Sequence, residues 1–302
     1  MSSLINQKRV LLLVNPTAGK MRAKTALYDV ISVFNQHRCE TTVQLTQEKG
    51  HAVLLAGGAK QAGFDFVVCC GGDGTLNETV SGMLSENPPL PLGYLPAGST
   101  NDFASSMGIS TNLSEAAEQI TRFQPVGMDV GQFGADRFFT YIASFGVFTA
   151  VSYTTPQAAK NVLGHVAYLL EGMKDLTNIQ APHVIAHADQ ATYEDDFLFG
   201  AVCNTTSVGG IVKLPPDLVG MNDGLFEILL IKKPKNLNDL HKIVMGLTWS
   251  DFSDEIFLFF KAKQVCFETA PELSWTLDGE FASVPDGRVN VTNLHNAVQI
   301  YV

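Results

Sequence analysis

Positive charge is in short supply in this chain: 20 lysines and arginines stand against 30 aspartates and glutamates, for a net charge of −10 over 302 residues. That balance excludes a broad electrostatic footprint for nucleic acid, and it repels an anionic membrane at long range. Membrane contact, if made, must be local. Lys232-Lys233-Pro234-Lys235 is the one short basic candidate, and it reads more simply as a solvated loop after a strand. Cysteine is sparse too. The five, at positions 39, 69, 70, 203 and 266, form no Cys-x-x-Cys pair and lie mostly inside apolar runs, as reduced core residues of a cytosolic protein do. No stretch approaches 18 uninterrupted apolar residues, and the polar Met1 to Arg9 leads straight into an apolar run. Neither a transmembrane segment nor a signal peptide is therefore expected. There is no Gly-x-Ser-x-Gly elbow, which argues against an esterase. The tempting Asn15-Pro16-Thr17-Ala18-Gly19-Lys20 lacks both the earlier Gly and the Ser or Thr after Lys of a Walker loop. Internal repeats and low-complexity segments are missing as well.

What the chain does have is two glycine-rich turns, Gly71-Gly72-Asp73-Gly74-Thr75 and Pro96-Ala97-Gly98-Ser99-Thr100-Asn101-Asp102, each after an apolar run. Glycine allows positive φ and lets backbone N–H groups approach an anion without a Cβ in the way. A helix starting just after such a turn adds its positive end. The first turn is expected between a strand Phe64 to Cys70 and a helix starting near Leu76 to Asn77. Taken alone, Gly-Gly-Asp-Gly is equally a plain tight turn.

The apolar content of 46% and the length favour two domains. Val10 to Val14 reads as a parallel strand buried on both faces, followed by a helix whose stripe is Ala23, Ala26, Leu27, Val30, Ile31 and Phe34. Thr41 to Leu45 is a second strand, Gly50 to Ala62 a second helix, and Leu92 to Leu95 a short fourth strand. Ser114 to Phe123 is one more helix, with Ser114 as its expected N-cap. This alternation predicts a doubly wound parallel α/β sheet with ligands at the carboxyl ends of its strands. Beyond Pro125 the texture changes to short alternating strands: 128–133, 137–145, 183–187, 196–204, 225–231, 264–269, 274–277, 288–291 and 297–302. Helical inserts are expected at Asn161 to Leu176 and Leu237 to Leu247. That pattern predicts a β-rich, antiparallel, sandwich-like domain, with the boundary at residues 127 and 128. His183 and His187 sit in a strand-like run and read as ordinary histidines rather than zinc ligands.

The two turns, together with Val14-Asn15-Pro16, Asn222-Asp223-Gly224-Leu225 and the late Leu277-Asp278-Gly279-Glu280, resemble the diacylglycerol kinase catalytic family, the soluble bacterial lipid kinases related to sphingosine and ceramide kinases. The resemblance covers nearly the whole chain. It implies an ATP-dependent kinase that phosphorylates a lipid hydroxyl, most readily that of diacylglycerol, with the active site in the cleft between an α/β nucleotide domain and a larger β-rich domain. In some members a C-terminal segment returns to the first domain, and here such a return has to be very short. An NAD kinase shares the Gly-Gly-Asp-Gly-Thr loop, but the Pro-Ala-Gly-Ser-Thr-Asn-Asp-Phe-Ala form of the second loop and the late Asp-Gly-Glu separate the two. A nucleotide-binding regulator without turnover is the remaining alternative, although all the expected acidic positions are occupied.

By resemblance, ATP rests on Asn15, Pro16 and Gly19, on Gly71, Gly72, Asp73, Gly74, Thr75 and Asn77, and on Gly98, Thr100 and Asn101, with Thr46 nearby. Asp73, Asp102 and Asp129 organise catalytic Mg²⁺ through water. Hard cations of this kind suit scattered carboxylates better than a His or Cys cage. Asp129 carries the weakest local signature, and a turn or strand role suits it as well. The Asp-Gly-Glu turn supplies the base, Asp278 first and Glu280 second. A carboxylate needs burial or late proton loss to serve as a base at neutral pH. Gly220, Asp223 and Leu225 correspond to a separate structural metal loop, although Asn-Asp-Gly is also a turn signal. The lipid is expected to come from a membrane surface, through transient peripheral contact of a cytoplasmic protein. Homodimers are common among such enzymes, but no interface is marked in this sequence.

Overall fold

The computed structural model describes residues 7–99, 101–147, 181–189, 191–208, 212–214 and 219–302. The chain divides into two compact units, residues 1–128 with 296–302, and residues 129–295. The last seven residues, left in the second domain by the sequence reading, cluster with the first unit. The expected helix Asn161 to Leu176 lies outside the described residues.

The first unit is a parallel sheet. Strand β1 (Lys8–Val14) pairs with β2 (Cys39–Leu45) on one side, Val10 opposite Thr41, and with β3 (Phe66–Gly71) on the other, Val10 opposite Phe66. β4 (Leu92–Pro96) continues from β3, and Ile300 adds a parallel partner opposite Leu92. Between these strands run α1 (Arg22–Gln36), α2 (His51–Gly57), α3 (Asp73–Met83), α4 (Asp102–Met107) and α5 (Leu113–Arg122). All six residues of β3 are buried, which is why its sequence, Phe-Val-Val-Cys-Cys-Gly, shows no alternation. Burial pushes the Cys70 thiol up to about 12 and raises that of Cys69 as well, so both are packing residues.

Three local expectations shift. Helix α3 starts at Asp73 rather than near Asn77, because Gly72 is its extended N-cap and the Asp73 carboxylate complements the first-turn dipole. Asn112, not Ser114, caps α5, its Oδ1 accepting from the N–H groups of Ser114 and Glu115. The short helix α4 was not foreseen, since its start at Asn101 and Asp102 reads as loop.

The second unit is built from antiparallel pairs. β5 (Pro125–Phe133), of which residues 129–133 belong here, pairs with β6 (Arg137–Phe139), and β7 (Ile142–Gly146), β8 (His183–Ala188) and β9 (Thr192–Cys203) follow. β10 (Ser207–Val208) and β11 (Val212–Lys213) pair with each other. β12 (Phe226–Lys232), helix α6 (Leu237–Trp249), β13 (Phe257–Ala262), β14 (Gln264–Glu268), β15 (Trp275–Leu277), β16 (Glu280–Ala282) and β17 (Arg288–Tyr301), of which residues 288–295 belong here, complete it. The long β9 serves two neighbourhoods. Its first half pairs with β8, and its second half lies between β7 and β12. The enclosed core is aromatic, with Phe133, Phe145 and Phe267 each packed against Trp275.

Two departures from the expected strands have visible causes. The single run 137–145 is broken into β6 and β7, because the amides of residues 140–142 turn towards the Asp278 carboxylate. Conversely β17 is one strand of 14 residues where two were expected. His183 bonds Asp196 and Glu194 on β9, and His187 bonds Thr192, so both histidines are engaged in cross-strand contacts. Among the described residues no helix is long and apolar enough to cross a membrane.

Candidate functional site

In the first unit the strand order 2-1-3-4 reverses direction between β1 and β3, and an open α/β sheet leaves its ligand crevice at the carboxyl ends on either side of such a point. The loops after β1 and β3 meet there. Asn15 Nδ2 donates to Thr75 Oγ1 at 2.9 Å, and Asn15 Oδ1 accepts from both the N–H and the hydroxyl of Thr17, fixing the turn that holds Pro16. Thr46 donates its N–H to the Val14 carbonyl at 2.9 Å, so the end of β2 is tied to the same place.

The loop after β4 joins them by close backbone approach. A Cβ built on Gly98 would stand 2.6 Å from Gly72 Cα and 2.7 Å from Asn101 Oδ1, and one built on Gly19 would stand 1.9 Å from the Ala97 carbonyl oxygen. Any side chain at Gly98 or Gly19 would drive the loops apart. Ala97 and Gly98 both donate their N–H to the Gly71 carbonyl, while Asn101, left-handed at φ 53°, donates through Nδ2 to the Gly98 carbonyl at 3.1 Å. Asp102 N–H then donates to Asp73 Oδ2 at 3.3 Å. Thus Asn15, Gly19, Gly71, Gly72, Asp73, Thr75, Gly98, Asn101 and Asp102 are brought together. Gly74 lies in the first turn of α3 and Asn77 at the start of its second. Thr100 lies outside the described residues.

Sequence reasoning missed two supports of this site. Tyr94, inside the apolar β4 run, donates its hydroxyl to the Gly71 carbonyl at 3.3 Å and to Asp73 Oδ1 at 3.4 Å. Glu78 accepts the Gly50 N–H at 2.8 Å, linking α3 to the start of α2. A tyrosine in an otherwise aliphatic strand was the available signal for the first; the second had none.

In the second unit Asp278 and Gly279 form the two-residue turn between β15 and β16, both with positive φ, as this type of hairpin requires. The Asp278 side chain is 5% exposed and its carboxylate is held by four donors. Oδ2 accepts from the Thr140 N–H at 2.6 Å and the Thr140 hydroxyl at 2.8 Å, and Oδ1 accepts from the N–H groups of Tyr141 and Ile142 at 3.0 Å each. Glu280, two residues on, is exposed.

Asp129 is wholly buried. Its Oδ2 accepts the Gly224 N–H at 2.7 Å and its Oδ1 lies 2.9 Å from His295 Nδ1, while its own N–H donates to the Met221 carbonyl. The carboxylate therefore grips the Met221 to Gly224 turn. In that turn Asp223 Oδ1 accepts the Leu225 N–H at 3.0 Å, and Gly220 packs against the same carboxylate.

The diacylglycerol kinase catalytic domain model matches residues 9–133. A diacylglycerol kinase of Bacillus subtilis (strain 168) is 31% identical over 294 residues, spanning 97% of this chain and 96% of its own length. One from Staphylococcus carnosus (strain TM300) is 30% identical over 98% of this chain and 95% of its own length. The chain belongs to the diacylglycerol kinase family. A crystal structure of a putative diacylglycerol kinase from Bacillus anthracis superposes with a TM-score of 0.79 at 25% identity, covering all of this chain and 97% of the other. The shared fold of this family is thus an α/β first unit with a parallel sheet followed by a β-rich second unit, as the glycine-turn motifs and the change of texture after Pro125 imply.

Proposed function

We propose that this chain transfers the terminal phosphoryl group of ATP to a lipid hydroxyl, with diacylglycerol as acceptor and phosphatidic acid as product. The observation that carries the reading is the contact of Gly72 with Gly98 at the strand ends. It leaves a floor of backbone without side chains beside the N-terminus of α3, where phosphate oxygens find N–H donors.

The residues divide the work. Asn15, Pro16 and Gly19, the Gly71 to Asn77 segment, and Gly98 with Thr100 and Asn101 hold the nucleotide, and Thr46 borders it. Asp73 and Asp102 present hard oxygen donors of the kind Mg²⁺ prefers. Bound Mg²⁺ supplies neutralisation of charge on the transferring group. Asp129, gripped by Gly224 and His295, is assigned to holding its turn rather than to the cation.

For proton removal the four donors on Asp278 favour Glu280, the second candidate of the same turn. A carboxylate whose lone pairs already accept four hydrogen bonds is a poor acceptor for a fifth proton. We assign the base to exposed Glu280, which takes the acceptor's hydroxyl proton late, once the new P–O bond has made that proton acidic and the bond to the ADP leaving group is breaking. Asp278 becomes the positioning residue that fixes the hairpin presenting Glu280. The acceptor is drawn from a membrane surface by transient contact of a cytoplasmic protein.

The test is transfer from labelled ATP to a panel of diacylglycerol, a sphingosine-like base, phosphatidylglycerol and NAD. Phosphatidic acid is the expected labelled product. Transfer to NAD alone would replace this reading with that of an NAD kinase.

A further inference from the structure

The Met221 to Gly224 turn is where the family resemblance sets a structural metal, on the Asp223 carboxylate and the carbonyls of Gly220 and Leu225. The groups present do not fit one. Asp223 Oδ1 already accepts the Leu225 N–H, and Asp223 Oδ2 accepts from Lys261 Nζ at 3.0 Å. Lys261 comes from β13, where it stands in register with Glu227 of β12. The Glu227 side chain is 0% exposed, and Lys261 Nζ lies 3.0 Å from its Oε1, a close ion pair without the alignment of a hydrogen bond. One ammonium thus touches both carboxylates. A divalent ion on Asp223 would have to share its oxygen with that ammonium, against direct like-charge repulsion. The turn is meanwhile closed from its other side by Asp129, through Gly224 and Met221.

We propose that the Lys261 ammonium is the resident cation of this turn, taking by a side chain of the chain itself the place that a bound metal holds in the resemblance. The geometry explains why a glutamate is tolerated with no exposure in β12: a buried carboxylate persists only when paired, and its cross-strand neighbour is the one group in register to pair it. It also links three distant parts of the sequence, at 129, 221–227 and 261, in one charge cluster of two carboxylates on one ammonium with a third carboxylate behind the turn.

The experiment is thermal unfolding of the full chain without nucleotide, in EDTA and in excess MgCl₂ or CaCl₂, beside metal analysis of the gel-filtered protein. The Tm of Asp73→Asn is expected to be the same in chelator and in either salt to within about 1 °C, with no stoichiometric divalent metal retained. Lys261→Met leaves Glu227 buried without its partner and is expected to lower Tm by about 5 °C or more. The double change Lys261→Met with Glu227→Gln removes the charge along with its partner and recovers most of that loss. One divalent ion per purified chain that is retained in Asp73→Asn but lost in Asp223→Asn, or a Tm of Asp73→Asn that falls by several degrees in EDTA and returns with magnesium, would overturn the proposal. So would a Lys261→Met protein with wild-type Tm. If Lys261→Met does not fold, the chelator and metal measurements on Asp73→Asn and Asp223→Asn decide alone.

Discussion

Two carboxylates, one in each unit, illustrate opposite ways of using an aspartate beside a glycine. Asp73 stands at the start of α3, where its contacts from Tyr94 and Asp102 are long, 3.4 and 3.3 Å. Asp278 stands in a hairpin, where four contacts to Thr140, Tyr141 and Ile142 run from 2.6 to 3.0 Å. A carboxylate beside a helix N-terminus is placed for ionic chemistry in the proposed function. A saturated one is part of the frame. In the proposed function the same Asp-Gly pairing is chemistry in the first unit and architecture in the second.

Substitutions should separate the two, and the largest expected effect is on activity at the exposed neighbour of the frame. Glu280→Gln is expected to lower kcat by about 10²- to 10⁴-fold with an unchanged urea midpoint, since a general base contributes on that scale and the side chain is exposed. Asp73→Asn should act similarly on kcat with little change in stability, because it removes the charge but keeps the shape; magnesium titration of the variant reads the loss.

Asp278→Ala reverses the pattern. Four donors lose their acceptor, three of them backbone amides at the break between β6 and β7, and stability should fall by about 3–5 kcal/mol in urea unfolding. If instead Asp278→Ala keeps wild-type stability while losing turnover, the contrast between the two aspartates fails. A smaller effect is expected at Gly98→Ala. The added methyl meets Gly72 Cα and Asn101 Oδ1, so the nucleotide floor opens, and KM for ATP should rise about tenfold with kcat less affected. The smallest is Asn112→Ala, the loss of the α5 cap, worth about 1 kcal/mol in thermal unfolding and nothing in turnover.

Much of the first unit was legible because its signals are local. Apolar runs without alternation mark β1 and β3, and Gly72 and Gly98 announce a close backbone approach by their lack of a side chain. The frame of the second unit was hidden because its contacts are not local. Nothing around Asp278 reveals that its partners lie at residues 140–142, 136 or more positions away, and nothing near Glu227 marks Lys261 as its cross-strand neighbour. The partners of Asp129 were hidden for the same reason. Its Met-Asp-Val-Gly setting gives no hint of the Gly224 amide and the His295 ring that occupy its oxygens. The strand β17 reads from sequence as two strands, 288–291 and 297–302. Asn296 is left-handed at φ 50°, yet the strand continues through it to pair with β4.

The chemistry depends on which member of the Asp-Gly-Glu hairpin meets the substrate. The direct measurement is labelled phosphate transfer from ATP to diacylglycerol in mixed micelles by Glu280→Gln, with its fold checked by urea unfolding in the same buffer. A protein of wild-type stability with turnover reduced at least about a hundredfold is the predicted result. Wild-type turnover from that protein would contradict it.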